Sequence, residues 1–524
     1  MPARLNRRAF LRRTGLCAAA LAHSPVRACL GAASAEPTAP ARRRLNILLI
    51  TVDDMNCDSV GAYGCTVPKT TPNIDRLAAE GMRFTRAHVT IAVCQPCRSV
   101  LMTGRYPHRS GGEGFHRITK TDTPTLVETL AKAGYRCGIL GKVGHSTPKT
   151  SIQWDMNRDM GQLGLGRDPS LYHRAAKDFF EQSVEAGKPF FFMANSHDPH
   201  RPFSGSDQER SRWSGRKVTR PSRIFSPTEV DVPGFLPDLP PVRREIAEYY
   251  SSVRRADDTV GAVLKALKEA GQESRTIVVF LSDHGMPLPF AKTNCYLHST
   301  HTPWIVRWPG KVRPGSAEAE HFISGIDLMP TLLEAAGLPA PDGMDGFTFL
   351  PLLAGRKQKG RERVFTQFHQ IAGRKRYPMR CVQDGRFGYI FNPWSDGKRI
   401  FRNESQSGRT MKAMNAAAPS NPRIAARVKQ FLYRTVEEFY DFQKDPDALH
   451  NLVGEPKARK ELDRLRGELE RWMQRTGDPA LKAFRSRESP EELKAFMVEQ
   501  DALAAPRRGK RQKKQKKRKK APAV

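Results

Sequence analysis

A chain of 524 residues, 39% of them hydrophobic, is long and apolar enough for a multi-domain globular protein and excludes a fibrous or wholly disordered one. Its net charge of +33 is concentrated at the ends: nine Arg against one Glu in residues 1–44, and eleven Lys or Arg with no acid in residues 507–520. The remainder is still basic, which suits a polyanionic substrate, although charge alone accounts for association and not for an activity.

The N-terminus reads Asn6-Arg7-Arg8-Ala9-Phe10-Leu11-Arg12-Arg13, followed by a short apolar run over residues 16–22. This resembles a twin-arginine export signal, and the run is too short to span a bilayer. Ala33-Ser34-Ala35 offers a cleavage site, and Val26-Arg27-Ala28-Cys29 is a weaker match to a lipoprotein box that would anchor the chain through Cys29. Residues 1–35 are read as the signal and the Pro/Ala/Arg-rich residues 36–44 as a linker. No later stretch reads as transmembrane, so the expectation is a protein exported to the periplasm or beyond.

Residues 46–52 form an apolar, β-branched run of the kind found in a buried parallel strand, and it ends in Asp53-Asp54. Thr71 and Pro72 predict a helix start, with Thr71 as N-cap. Further helical patterns cover 124–133, 175–186 and 243–270, alternating with strands at 135–140, 189–194 and 276–281. Such alternation implies a mostly parallel sheet covered by helices, which binds ligands at the carboxyl ends of its strands. The chemistry-bearing residues fall at those ends: Asp53 and Asp54, Lys142 and His145, His197 and His200, then Asp283 and His284.

After about residue 360 the pattern changes to short strands at 387–391 and 438–442 and an amphipathic helix at 455–475. The expected organisation is α/β: a catalytic domain over 45–360, built on a large mixed, mostly parallel sheet sandwiched by helices. A smaller α+β domain follows over 361–480, then a basic, disordered tail over 481–524. That tail solubilises the chain or adheres to anionic glycan, cell wall or nucleic acid; nucleic acid is not the expected substrate.

Asp53-Asp54 has a bland reading as a pair of turn residues, but paired carboxylates at a strand end are best tolerated with a cation, oxygen ligands suit Ca²⁺ or Mg²⁺, and Asp283-His284 at a second strand end can complete one site. Lys142 offers a point charge for an anionic oxygen and His145 a near-neutral base, although Lys-x-x-His alone is more often a solvated loop. The nine cysteines include no paired C-x-x-C motifs of a zinc ribbon; Cys94 and Cys97 form one such pair, and Cys57 and Cys65 are close enough to bond, which spacing cannot establish.

The deciding segment is Cys94-Gln95-Pro96-Cys97-Arg98, followed by Thr103-Gly104-Arg105. It resembles the signature of type I sulfatases of the alkaline phosphatase superfamily. The resemblance covers roughly residues 45–475. Within the family, His197-Asp198-Pro199-His200-Arg201 and Tyr377-Pro378-Met379-Arg380 are most similar to the N-sulfoglucosamine sulfohydrolase (sulfamidase, heparan N-sulfatase) subgroup.

The resemblance implies that Cys94 is oxidised to formylglycine by a formylglycine-generating or anaerobic sulfatase-maturing enzyme. It also implies that Asp53, Asp54, Asp283 and His284 hold a divalent cation, usually calcium, together with residue 94. Arg98, Lys142, His145, His200 and Lys292 are then assigned to the formylglycine and the sulfate. One hydroxyl of the hydrated aldehyde attacks sulfur while His200 protonates the leaving group. His145 then removes the proton of the second hydroxyl, expelling sulfate and restoring the aldehyde. The implied substrate is a sulfated glycan such as heparan sulfate, and a homodimer is compatible with the family. Cys97 stands where the family usually has Ser or Ala, two residues separate Lys142 from His145, and Lys292 stands for an Arg. Three other readings stay open: an O-sulfatase of the iduronate-2-sulfatase-like type, a phosphodiesterase or phosphonate hydrolase of the same superfamily, and a non-catalytic sulfoglycan-binding protein with unmodified Cys94.

Overall fold

The structure, a computed structural model, describes residues 44–504. The signal reading of residues 1–35, most of the linker and the basic run at 507–520 lie outside the described residues.

The main sheet has eight strands in the order Met156–Arg158, Arg136–Leu140, Phe190–Pro199, Asn46–Asp53, Thr276–Ser282, Trp304–Arg307, Met82–Phe84 and Ser316–Glu318. The first five run parallel, and Trp304–Arg307 opposes both of its neighbours. The three central strands are buried almost throughout, which explains why they read as continuous apolar runs with no alternation. Helices Pro169–Glu185 and Pro240–Glu269 pack against each other and cover the sheet beside Phe190–Pro199.

The helix over Pro72–Glu80 begins where expected, but Thr71 does not cap it. Thr71 Oγ1 accepts from the Gly61 amide and donates to Asp75. The free amides of Asn73 and Ile74 instead donate to Asp257, at 2.9 and 2.8 Å, from the helix Pro240–Glu269. A buried carboxylate from another element thus takes over the cap, which local sequence could not reveal.

A second, antiparallel sheet follows, in the order Arg363–Gln370, Arg376–Asp384, Phe387–Phe391 and Glu437–Asp441. Helix Arg459–Thr476 lies on it through buried Leu462, Leu465, Leu469 and Trp472. The architecture is therefore a large, mixed, mostly parallel sheet with helices plus a C-terminal antiparallel sheet.

The disordered tail expected from residue 481 needs correction. Residues Leu481–Arg485 and Pro490–Ala504 are helices, with Phe484, Leu493, Phe496 and Met497 buried. The buried positions Leu493, Phe496, Met497 and Gln500 follow helical spacing, which the surrounding charges obscure. Among the described residues no helix is long and apolar enough to cross a membrane, and no cysteines are bonded, Cys57 and Cys65 included.

Candidate active site

The site lies at the carboxyl ends of the central strands. Asn46–Asp53 delivers Asp53 as its last residue, and Asp54 follows with a positive φ of 73°. Lys142 (φ 51°), Phe290 (72°) and Thr293 (62°) share that left-handed backbone. Such conformations cost roughly 1–3 kcal/mol each and persist where surrounding contacts enforce them. Four of them in loops that meet at one place mark the site.

Cys94 is the first residue of the helix Cys94–Thr103, with Pro96 in the first turn, where a missing amide costs nothing. Residue 94 therefore stands at the positive end of a ten-residue helix. Arg98 follows one turn later on the same face. Cys94 Sγ lies 3.4 Å from both Asp53 Oδ1 and His284 Nε2. Burial and then Asp53 push the thiol well above its ordinary value, so it stays protonated. A thiolate nucleophile of the cysteine-protease kind does not fit this position.

Arg98 is wholly buried. Its Nε and Nη2 donate to Asp283 Oδ2 at 3.1 and 2.8 Å, and Nη1 donates to Thr51 Oγ1 at 2.8 Å and Asn195 Oδ1 at 2.7 Å. Thr51 and Asn195 are register partners on neighbouring strands and bond to each other at 2.7 Å. The guanidinium is thereby locked by three strands, which suits a charge that must not move when substrate arrives.

Asp53, Asp54, Cys94 and His200 offer ligand atoms within 4.8 Å of one another, and so do Asp53, Cys94, Asp283 and His284. The carboxylates are fully buried. Burial raises both Asp53 and Asp54; at Asp53 the positive charges of Lys142, His200, Arg98 and Lys292 together outweigh it and hold the group well below the usual range, while Asp54 stays well above it despite Lys292. His284 donates from Nδ1 to the Gly285 carbonyl at 3.0 Å, so its neutral ring turns an Nε2 lone pair toward Asp54 Oδ1 at 3.2 Å. A lone pair facing carboxylates is favourable when a cation or a shared proton lies between them, and a fixed Nδ1–H is the usual support of a ligating histidine. The donor set thus fits a divalent ion: three carboxylates and one imidazole nitrogen, a mainly oxygen shell of the kind Ca²⁺ or Mg²⁺ takes. Gly285 is obligatory next to His284, because a Cβ there would lie 1.9 Å from the His298 carbonyl.

Two lysines face these carboxylates. Lys142 pairs with Asp53, and Lys292 pairs with Asp54 at 2.8 Å and with Glu404. His200 stands behind them, its Nε2 3.9 Å from Asp54. Its Nδ1 donates to the Arg201 carbonyl at 2.6 Å, which leaves Nε2 free toward the site. Burial, then Lys142 and Lys292, lowers His200 to about 3. Burial and Lys142 lower His145 to about 4, and its buried Nδ1 has no hydrogen-bond partner among the described residues. Lys142, His145, His197 and His200 line one cavity of about 400 Å³, whose outer wall carries Met160, Arg212 and Trp213.

Every residue named from the sequence for this site falls within this cluster or its cavity. His197 serves it indirectly, accepting the Lys142 amide at 3.2 Å on Nε2. The buried pairs around Asp198 were not anticipated. Arg255 grips that carboxylate at 2.7 and 3.1 Å. Arg167 pairs with it at 3.1 Å and donates to the His200 carbonyl at 2.6 Å. These groups set the path of the chain just before His200. Buried polar residues at the end of an apolar strand were the available signal. Glu404 carried no signal at all.

Residues 45–338 match the Sulfatase family. The chain belongs to that family. It is 30% identical over 485 residues to N-sulphoglucosamine sulphohydrolase of Homo sapiens, covering 87% of this chain and 95% of the relative. Among solved structures, a 2-O GAG sulfatase superposes with a TM-score of 0.61 at 22% identity, covering 84% of this chain and 94% of the other. Phosphonate monoester hydrolase of Agrobacterium radiobacter also gives 0.61, at 19% identity, covering 83% and 96%. These two establish the alkaline phosphatase-like fold and do not by themselves separate sulfuryl from phosphoryl chemistry. Family membership makes this sulfatase a hydrolase.

Proposed function

We propose that this sulfatase releases sulfate from a sulfated glycan, with the N-sulfate of glucosamine as its preferred group. The observation that carries the reaction is the surround of residue 94: a helix N-terminus, three carboxylates and a histidine on one side, Arg98 and two lysines on the other. The preference for N-sulfate draws on the 30% identity, over nearly the whole length, to a relative named for that substrate.

Asp53, Asp54, Asp283 and His284 would hold the divalent cation, Ca²⁺ before Mg²⁺, which supplies charge neutralisation for the sulfate and acidifies the attacking hydroxyl. Formylglycine made from Cys94 would supply that hydroxyl as a hydrated aldehyde. The chain's own residues do the rest. Arg98 holds Asp283 and the floor of the site rigid. Lys142 and Lys292 swing their ammonium groups onto sulfate oxygens. These lysines, after burial, are what keeps His200 neutral. A bound sulfate therefore offsets the lysines' part in lowering His200, leaving that of burial, and helps its Nε2 carry the proton for the leaving nitrogen. His145, neutral and with Nδ1 unpaired, takes the proton that resets residue 94.

We further read the chain as exported through its N-terminal signal and matured at Cys94 by a host enzyme of the formylglycine-generating or anaerobic type. The test is sulfate release from N-sulfoglucosamine by protein made in a maturing host. Inorganic sulfate in stoichiometry with free amine is expected. Phosphonate or phosphodiester turnover without sulfate release would replace this reading with the phosphonate hydrolase one.

A further inference from the structure

Glu404 opens the single turn Glu404–Ser407, in the long connection between strands Phe387–Phe391 and Glu437–Asp441. Sequence places it more than a hundred residues from Lys292, yet its carboxylate binds the Lys292 ammonium, and Oε1 lies 4.0 Å from His200 Nε2. The same ammonium reaches Asp54 at 2.8 Å. Glu404 thus stands where the group that binds sulfate meets the group that protonates the leaving atom. Its position is built. The preceding Asn403 donates from Nδ2 to Thr293 Oγ1 at 2.5 Å, while its Oδ1 accepts from the Ser405 amide at 3.1 Å. That ties the turn to the Lys292 loop. The Glu404 side chain is 41% exposed against 1% for Lys292, so the carboxylate looks out from the rim over the buried floor.

A sulfate ester and a sulfamate present the same three terminal oxygens and differ in the bridging atom. The ester bridge is an oxygen with lone pairs only. The sulfamate bridge is a nitrogen carrying one hydrogen. A carboxylate beside the leaving-group acid accepts from that N–H and repels the lone pairs of an ester oxygen. A site built to pair a substrate N–H discriminates against the analogue lacking it more strongly than any apolar fit can. From the placement of Glu404 between Lys292 and His200 we infer that it is a specificity-determining residue, reading the N–H of a sulfamate and selecting N-sulfated over O-sulfated sugars. The inference rests on the sulfatase reading above and deepens it.

The experiment compares kcat/KM for N-sulfoglucosamine and for glucosamine 6-O-sulfate, an ester probe whose alcohol also needs a proton to leave, in the matured enzyme and in Glu404→Gln and Glu404→Leu. A carboxylate-to-N–H bond corresponds to roughly tenfold or more in this ratio. The sulfamate-to-ester ratio should therefore fall about tenfold in Glu404→Leu and by less in Glu404→Gln, which keeps a neutral acceptor. If Glu404 only positions Lys292, both substrates lose alike, since both carry the same sulfate oxygens; a ratio constant within about twofold overturns the inference. A wild-type enzyme that cleaves the ester and not the sulfamate overturns it too. Should Glu404→Leu fail to fold, Glu404→Ala takes its place, because it also removes the acceptor without adding bulk, and the same twofold limit applies. A matured wild-type enzyme that releases sulfate from neither probe defeats the sulfatase reading itself, whereas a working enzyme with an unchanged ratio defeats only the role of Glu404.

Discussion

The floor and the rim of this site are built differently. The floor, formed by Asp53, Asp54, Asp283 and Arg98, hangs from two adjacent parallel strands and the first turns of a helix and is fully buried. The rim, with Glu404, Met160 and Arg212, comes from short helices and single turns in connections that sequence sets far apart, and it meets solvent. Strand ends fix atoms to a fraction of an ångström, so the floor carries the bond-breaking chemistry. Loops can change without disturbing the sheet, so the rim is where a substrate is chosen.

The strongest test of that division is Cys94→Ala. Removal of a nucleophile should lower kcat by about ten-thousandfold or more while leaving thermal unfolding nearly unchanged, because the thiol is replaced by a smaller apolar group beside unchanged carboxylates. Loss of activity and fold together would make residue 94 structural. A second floor test is Arg98→Met. It strands the buried Asp283 carboxylate and should cost about 3–5 kcal/mol of stability, read as a lower midpoint in urea unfolding. A change below about 1 kcal/mol would mean that the buried pair is not what holds the three strand ends together.

Metal removal comes next. Dialysis against a strong chelator should abolish turnover and lower the melting temperature, both restored by Ca²⁺, since a ligand bound only by the folded state stabilises it by mass action. An unshifted melting temperature would argue against the acidic cluster as a cation site.

The smallest effect expected lies away from the site, where His88 and His301 pack with ring centroids 5.4 Å apart. Burial first, then His301, lowers His88 well below 6.5, and burial lowers His301 as well. The folded chain therefore binds fewer protons than the unfolded chain once the pH drops below 6.5. The stability these neutral rings contribute is present above that pH and is lost as pH falls, by up to about 1.4 kcal/mol per pH unit for each ring. Urea midpoints measured at pH 7 and pH 5 should lie closer together in His88→Gln than in the unchanged chain, with His301 still contributing. An unchanged pH slope in that variant would place the acid sensitivity elsewhere.

The floor was legible because its residues end apolar runs. Asp53-Asp54 and Asp283-His284 each close a strand whose burial is written in Val, Ile, Leu and Phe, while Cys94 and Arg98 were legible through the family signature and not through a predicted helix. What could not be read were contacts made across sequence. Asp257 replaces Thr71 as the cap of a helix. The Asp198–Arg255 pair steadies the approach to His200. The helix Pro490–Ala504 hides its apolar stripe among charges, which made a packed segment resemble the start of a basic tail. Glu404 has ordinary neighbours and acquires meaning only when the connection carrying it folds back over Lys292.

The central claim is that residue 94 is the nucleophile after conversion to an aldehyde. Mass spectrometry of the tryptic peptide spanning residues 87–98, from protein made in its own host, tests it most directly. The account predicts a peptide lighter by the exchange of one sulfur for oxygen and the loss of two hydrogens. The fragment ions should place that change at Cys94 and leave Cys97 as an ordinary thiol. An intact Cys94 thiol in a preparation that still releases sulfate would contradict it.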